Sequence, residues 1–263
     1  MLILLPPSEG KADPGDGGGP PLDLGRLSFP ELTVPRQRIV TALQRLAQGT
    51  PKRARAVLGL SPRQDSEIER DAVLTEAPTL PAGLLYTGVL YDALGYRDLS
   101  RPARVRADRW LVVSSALFGV LQPPDAIPPY RLSGDGSLPR IGRLATFWQR
   151  SLPQVMAPRA ANAVVLDLRS AAYAAAWRPT ADVADRTLVG RVMQRQPDGS
   201  AKVVSHHNKA TKGRLVAALV SQRTDPRSPE ELTELVASLG YEVDLTPPEH
   251  GRPGRIDVVV DAV

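Results

Sequence analysis

An unbroken apolar run over residues 1–5, stopped by Pro6-Pro7, has the pattern of a strand buried on both faces. A Gly/Pro-rich loop follows to residue 21, and then Ile39, Val40, Leu43 and Leu46 recur at helical spacing and predict a helix over 35–49. Further helices are expected over 52–60 and 66–74. Thr87-Gly88 places a turn between two apolar stretches in 84–94, residues 110–115 read as a strand, and 117–132 form a proline-rich loop. A helix over 145–156, a strand over 163–168 and a short helix over 171–177 come next, with the strand-to-helix junction at Asp167–Ser170. Residues 187–194 and 202–206 pair as a hairpin around Pro197-Asp198-Gly199, and a helix runs from 209 to 222. Ser228-Pro229-Glu230-Glu231 opens another helix, closed by Gly240: serine caps it, proline suits its first turn, and the glutamates match its positive end. Strands over 241–245 and 256–260 complete the pattern. The sum is an α/β chain with α+β character, a mixed sheet flanked by helices in one domain over 1–263.

Composition narrows the chemistry. The chain has no cysteine, which excludes disulfides, thiolate metal ligands, iron–sulfur clusters and a cysteine nucleophile. No apolar run approaches the ~18 residues of a membrane span, and the apolar start lacks the basic flank and cleavage site of a signal peptide. A soluble, unprocessed, cytoplasmic protein without membrane contact is expected. Thirty-three Lys+Arg against 28 Asp+Glu leave a formal charge of +5, a mild bias toward phosphate-rich partners.

Four segments carry candidate chemistry. Ser8-Glu9-Gly10-Lys11 follows the first strand, where backbone amides and a lysine can meet an anion, although the glycine spacing and the hydroxyl of a phosphate-binding loop are missing. Lys209, Lys212 and Arg214 sit at the start of a helix, and Lys209 and Lys212 share the azimuth of Leu215, Val216, Leu219 and Val220. A cation in the first turn opposes the helix dipole unless an anion binds there; the alternative is a solvated turn whose stems lie over the core edge. Tyr130-Arg131 offers a ring and a guanidinium for a base and a phosphate, or a buried tyrosine beside an arginine paired with Asp125 or Asp135. Tyr86-Thr87-Gly88 resembles the turn of a helix–hairpin–helix element, which holds DNA backbone through its amides. Ser114, Ser115 and Ser170 lie just past strands without the surround of a nucleophile elbow. His206 and His207 are adjacent on an expected strand and His250 is remote, so neither a metal nor a cofactor is expected.

In order along the chain, the opening Met-Leu-Ile-Leu-Leu-Pro-Pro-Ser-Glu-Gly-Lys, the Tyr-Thr-Gly at 86–88, Leu-Phe-Gly-Val-Leu-Gln-Pro through Pro-Tyr-Arg-Leu at 117–132, Phe147-Trp148, Leu-Asp-Leu-Arg-Ser with Tyr173, the helix start at 209–213 and Gly240-Tyr241 resemble the YaaA family of bacterial proteins. The resemblance implies a distinctive α/β fold with a basic cleft and a helix–hairpin–helix-like element, DNA binding without strong sequence preference, and protection from hydrogen peroxide that includes limiting the damage done by intracellular iron. It makes Lys11, Arg131, Lys209 and Lys212 the cleft candidates. Residues 12–21, His206-His207 and the spacing around 209–212 depart from enterobacterial members. Two roles stay open: a DNA-binding protein, or an enzyme acting on a nucleobase, nucleotide or other small molecule through a cleft lysine, with Glu9 or Asp167 as acid or base.

Overall fold

The computed structural model describes residues 1–196, 201–203 and 206–260. One sheet of eight strands organises the chain: β1 (Leu2–Leu5), β2 (Leu111–Ser115), β3 (Gly119–Leu121), β4 (Val165–Asp167), β5 (Thr187–Arg195), β6 (Ala201–Val203), β7 (Glu242–Thr246) and β8 (Gly254–Val260). Seven lie in the order β7-β8-β5-β4-β1-β2-β3, and β6 pairs with β5 off that row. The five strands from β8 to β2 run parallel, while β3, β6 and β7 are antiparallel to their partners. Every residue of β1, β2 and β4 is buried, as expected for central parallel strands covered on both faces.

The chain leaves β1 toward β2 on one side and returns through β4 to the other. Adjacent parallel strands whose connections diverge in this way leave a crevice at their carboxyl ends, the usual ligand position in open α/β sheets. The segments beginning at Pro6 and Leu168 emerge there.

Eight helices matter for the rest: α1 (Thr33–Ala47), α2 (Pro51–Leu58), α3 (Asp65–Ala72), α4 (Val89–Leu94), α5 (Arg101–Trp110), α6 (Leu152–Ala160), α7 (His206–Ser221) and α8 (Pro229–Ser238). At α8 the Ser228 side chain accepts from the Glu231 amide at 3.1 Å, the cap that the sequence implies. Helix α5 was not anticipated, because its arginine-rich sequence buries only Ala103, Ala107 and Trp110. The helix expected over 145–156 is two pieces, Leu144–Trp148 and α6, separated by a turn and with proline at the second start. Helix α7 begins at His206, three residues early, so the two adjacent histidines belong to a helix rather than to a strand. The expected turn at Pro197-Asp198-Gly199 lies outside the described residues.

Gly213 explains the closest helix contact. A Cβ at this position would stand 2.2 Å from the Leu90 carbonyl oxygen and 2.8 Å from the Ala93 Cβ, so only glycine lets α7 lie directly on α4.

Candidate functional site

At the carboxyl ends of β1 and β4 lies a cavity of about 490 Å³, walled by the segments after both strands, the start of α4 and the 130–135 loop. Ser8, Glu9, Lys11, Gly88, Tyr130, Arg131 and Lys209 are among its lining residues. Four segments distant in sequence, each singled out above, therefore converge on one space.

Local backbone pairing fixes the first wall. Lys11 and Tyr86 form an isolated antiparallel bridge, the Thr87 amide donates to the Gly10 carbonyl at 3.1 Å, and the Ala12 amide donates to the Leu85 carbonyl at 2.8 Å. Gly88 adopts φ 95°, and a Cβ there would meet the Ser8 Oγ at 3.2 Å, so this turn requires glycine on both counts. The turn joins the helical segment Ala82–Leu85 to α4, but its amides are already engaged. Tyr86 donates to Ala82, Thr87 to Gly10, and Gly88 to Asp92 Oδ1 at 3.2 Å.

Lys11 is held inside this frame rather than extended into solvent. Its Nζ donates to the Ser8 carbonyl at 3.1 Å and the Glu9 carbonyl at 3.3 Å, and stands 4.3 Å from the Tyr130 ring centroid and 5.6 Å from that of Tyr86. Burial, helped by the positive Arg131, lowers the Lys11 pKa from 10.5 to about 8, against the opposing pull of Asp71, Glu67 and Glu9. Ring faces soften that loss of solvation, since a cation over tyrosine gains some of the attraction it gives up in water.

Tyr130 is buried, so it does not present a face for base stacking; of the two readings of that ring, the structural one matches its position. Its hydroxyl shares hydrogen bonds with Tyr86 Oη at 2.8 Å and Ser115 Oγ at 2.7 Å, and Ser115 Oγ accepts from the Phe118 amide at 3.0 Å. Burial pushes both tyrosine hydroxyls well above their ordinary pKa, so this chain stays neutral. Arg131 pairs with Glu9 at 3.2 Å, not with Asp125 or Asp135, and Glu9 itself is largely exposed. Asp125 is instead consumed by Ser28 and the Gln122 amide.

The lysines of α7 part company. Lys209 is exposed and reaches the cavity wall, whereas Lys212 is half-buried behind it and donates to the Leu168 carbonyl at 3.3 Å. Burial lowers the Lys212 pKa and Asp167 partly restores it. Arg214 is exposed, bonded to Thr211 within its own helix and absent from the lining. Asp167 is clamped by Arg169, whose Nε and NH2 donate at 2.9 and 2.7 Å, and does not line the cavity.

Sequence reasoning did not place Tyr91, Asp135 and Tyr173 at the site, although all three are among its lining residues, and it passed over the buried Asp71 behind it. Asp71 Oδ1 accepts the Arg131 amide at 2.9 Å, while Oδ2 has no partner. Burial raises its pKa from 3.8 to about 8. The available signal was an acid three residues after Ile68 on the inward face of α3.

The family model described as peroxide stress protein YaaA matches residues 1–246. The chain belongs to the YaaA family. It is 47% identical over 264 residues to a UPF0246 protein of Streptomyces coelicolor, with all of both chains covered. A UPF0246 protein of Corynebacterium glutamicum is 41% identical over 251 residues, covering 94% of this chain and 96% of the relative. One of Idiomarina loihiensis is 27% identical over 229 residues, covering 81% and 86%. The family is named for peroxide stress, which ties this YaaA-family chain to the oxidative stress response. Among the described residues no helix is long and apolar enough to cross a membrane.

Proposed function

We propose that this YaaA-family protein engages nucleic acid with little sequence preference during peroxide stress, and that its cavity takes one nucleotide unit at a time. The observation that carries this reading is the size of the cavity together with its cations. About 490 Å³ suits a small ligand, and a duplex, whose major groove alone is about 12 Å wide, does not enter it. A nucleotide would come from a single strand or be turned out of the helix, least costly where the base is already damaged. Arg131 and Lys209 would hold the phosphate, and the half-buried Tyr173 would offer a ring to the base. Contact through side-chain cations, rather than through the engaged amides at 86–88, is the route this geometry favours. The test is a titration with single-stranded and abasic-site DNA: Lys209→Ala should weaken binding on all sequences alike, and equal affinity of variant and wild type would overturn the assignment.

A second reading, catalysis in the same cavity, is favoured by the lowered pKa of Lys11, because a lysine becomes a nucleophile as its neutral amine gains population. The amine would add to the aldehyde of an opened abasic sugar, water would leave, and borohydride would reduce the resulting imine to a stable secondary amine. A trapped adduct on Lys11, located by peptide mass, supports it. Trapping that survives Lys11→Gln, or none at all, removes it.

A further inference from the structure

A second, larger hollow of about 860 Å³ lies on another part of the molecule, between the outer face of α1, the start of α2 and the tip of a small hairpin made by Ser137–Leu138 and Gly142–Arg143. It shares no lining residue with the cleft. Arg38, Arg45, Arg53 and Arg140 line it, and no carboxylate does. All four arginines are exposed, and among the described residues none of them forms an ion pair. Arg55, Arg70, Arg131, Arg169 and Arg191 each have a carboxylate partner. Like charges gathered without a counter-charge repel one another, and that repulsion is relieved when an anion binds.

From this groove we infer a binding site for the sugar–phosphate backbone of a nucleic acid. Arg38 and Arg45 are two turns apart on one helix face, about 10 Å along its axis, which fits charges repeated along a chain better than one small anion. Their guanidinium forks match phosphate oxygens. Arg140 closes the far wall from the hairpin tip at φ 64°, in the left-handed region that favours glycine. Val34, 72% exposed, and Ile141 give the groove an apolar side for sugars. Its concave shape selects a strand over a flat membrane surface. This assignment borrows from the proposed function only the idea that nucleic acid is the partner; the two sites stand or fall separately.

The experiment uses a labelled duplex of about 20 base pairs, titrated across salt concentrations, and separately deoxyadenosine monophosphate as a probe of the cleft. Each phosphate contact contributes about −0.9 to the slope of log affinity against log salt, so Arg38→Gln/Arg45→Gln/Arg53→Gln should flatten that slope by roughly 2–3 and weaken duplex binding at least about tenfold. Mononucleotide binding should not change. If the triple variant melts early, Arg45→Gln alone should still flatten the slope by about 1. An unaltered slope and affinity would overturn the groove while leaving the cleft reading intact, as would a wild-type protein that binds no duplex. Polyglutamate of matched charge binding as tightly as DNA would overturn the nucleic-acid assignment. Loss of duplex binding in the variant, together with a wild-type protein that ignores the mononucleotide, would keep the groove and remove the cleft reading.

Discussion

The Lys11 amine can be examined without knowing any ligand. With a pKa of about 8 it is roughly 9% neutral at pH 7, whereas a lysine at 10.5 is about 0.03% neutral, a ratio near 300. The cause is burial beside Tyr130 and Tyr86, with the nearby Arg131 adding to it. The chain has only five lysines, so reductive methylation with ¹³C-formaldehyde yields a spectrum in which each dimethylamine can be followed. Lys11→Met identifies its signal. The expected titration is one resonance moving near pH 8, Lys212 moving below the ordinary lysine range, and an upward shift of the Lys11 midpoint on replacing Tyr130 with alanine, which opens the cage to water. A Lys11 midpoint near 10.5 would refute the desolvated cage and take the catalytic reading with it.

Three other outcomes follow from the same structure. The Asp71 carboxyl, raised to about 8, keeps a proton in the folded state that the unfolded chain releases near 3.8, so it makes stability fall as pH rises between those values, by at most about 1.4 kcal/mol per unit; urea unfolding of Asp71→Asn should lack that component, and an unchanged pH slope would contradict it. Buried Arg36 donates to the carbonyls of Phe118 at 3.0 Å and Val120 at 2.8 Å, so Arg36→Met should cost about 2–4 kcal/mol by chemical denaturation, and a loss below about 1 kcal/mol would be the wrong answer. Gly213→Ala should force α7 from α4 at a cost of about 1–3 kcal/mol and displace the Gly88–Leu90 wall, weakening nucleotide binding; a variant with native stability would contradict the packing described.

Much of the sheet was legible because central strands have a plain signature. Residues 1–5 are apolar without interruption and 163–168 are broken only by Asp167, and both supply core strands. Helix α5 was not legible, because one buried Trp110 and two alanines scarcely mark an apolar face among arginines. At the site, Lys11, Arg131 and Lys209 could be named from turn positions, but their meeting depends on strand order, which periodicity does not contain. Asp71 escaped notice because an acid in a helix reads as solvated until tertiary packing covers it. Nothing in the sequence sets the arginines of α1 apart from a solvated helix face; the start of α2 and the hairpin tip carrying Arg140 turn that face into a groove.

The measurement that bears most directly on the cleft is the addition of deoxyadenosine monophosphate to the methylated protein while the lysine resonances are followed. Binding in the cavity predicts saturable shifts of Lys11 and Lys209, a higher Lys11 midpoint because a phosphate nearby favours the charged amine, and a stationary Lys202. Unmoved Lys11 and Lys209 signals at saturating nucleotide would contradict the central claim.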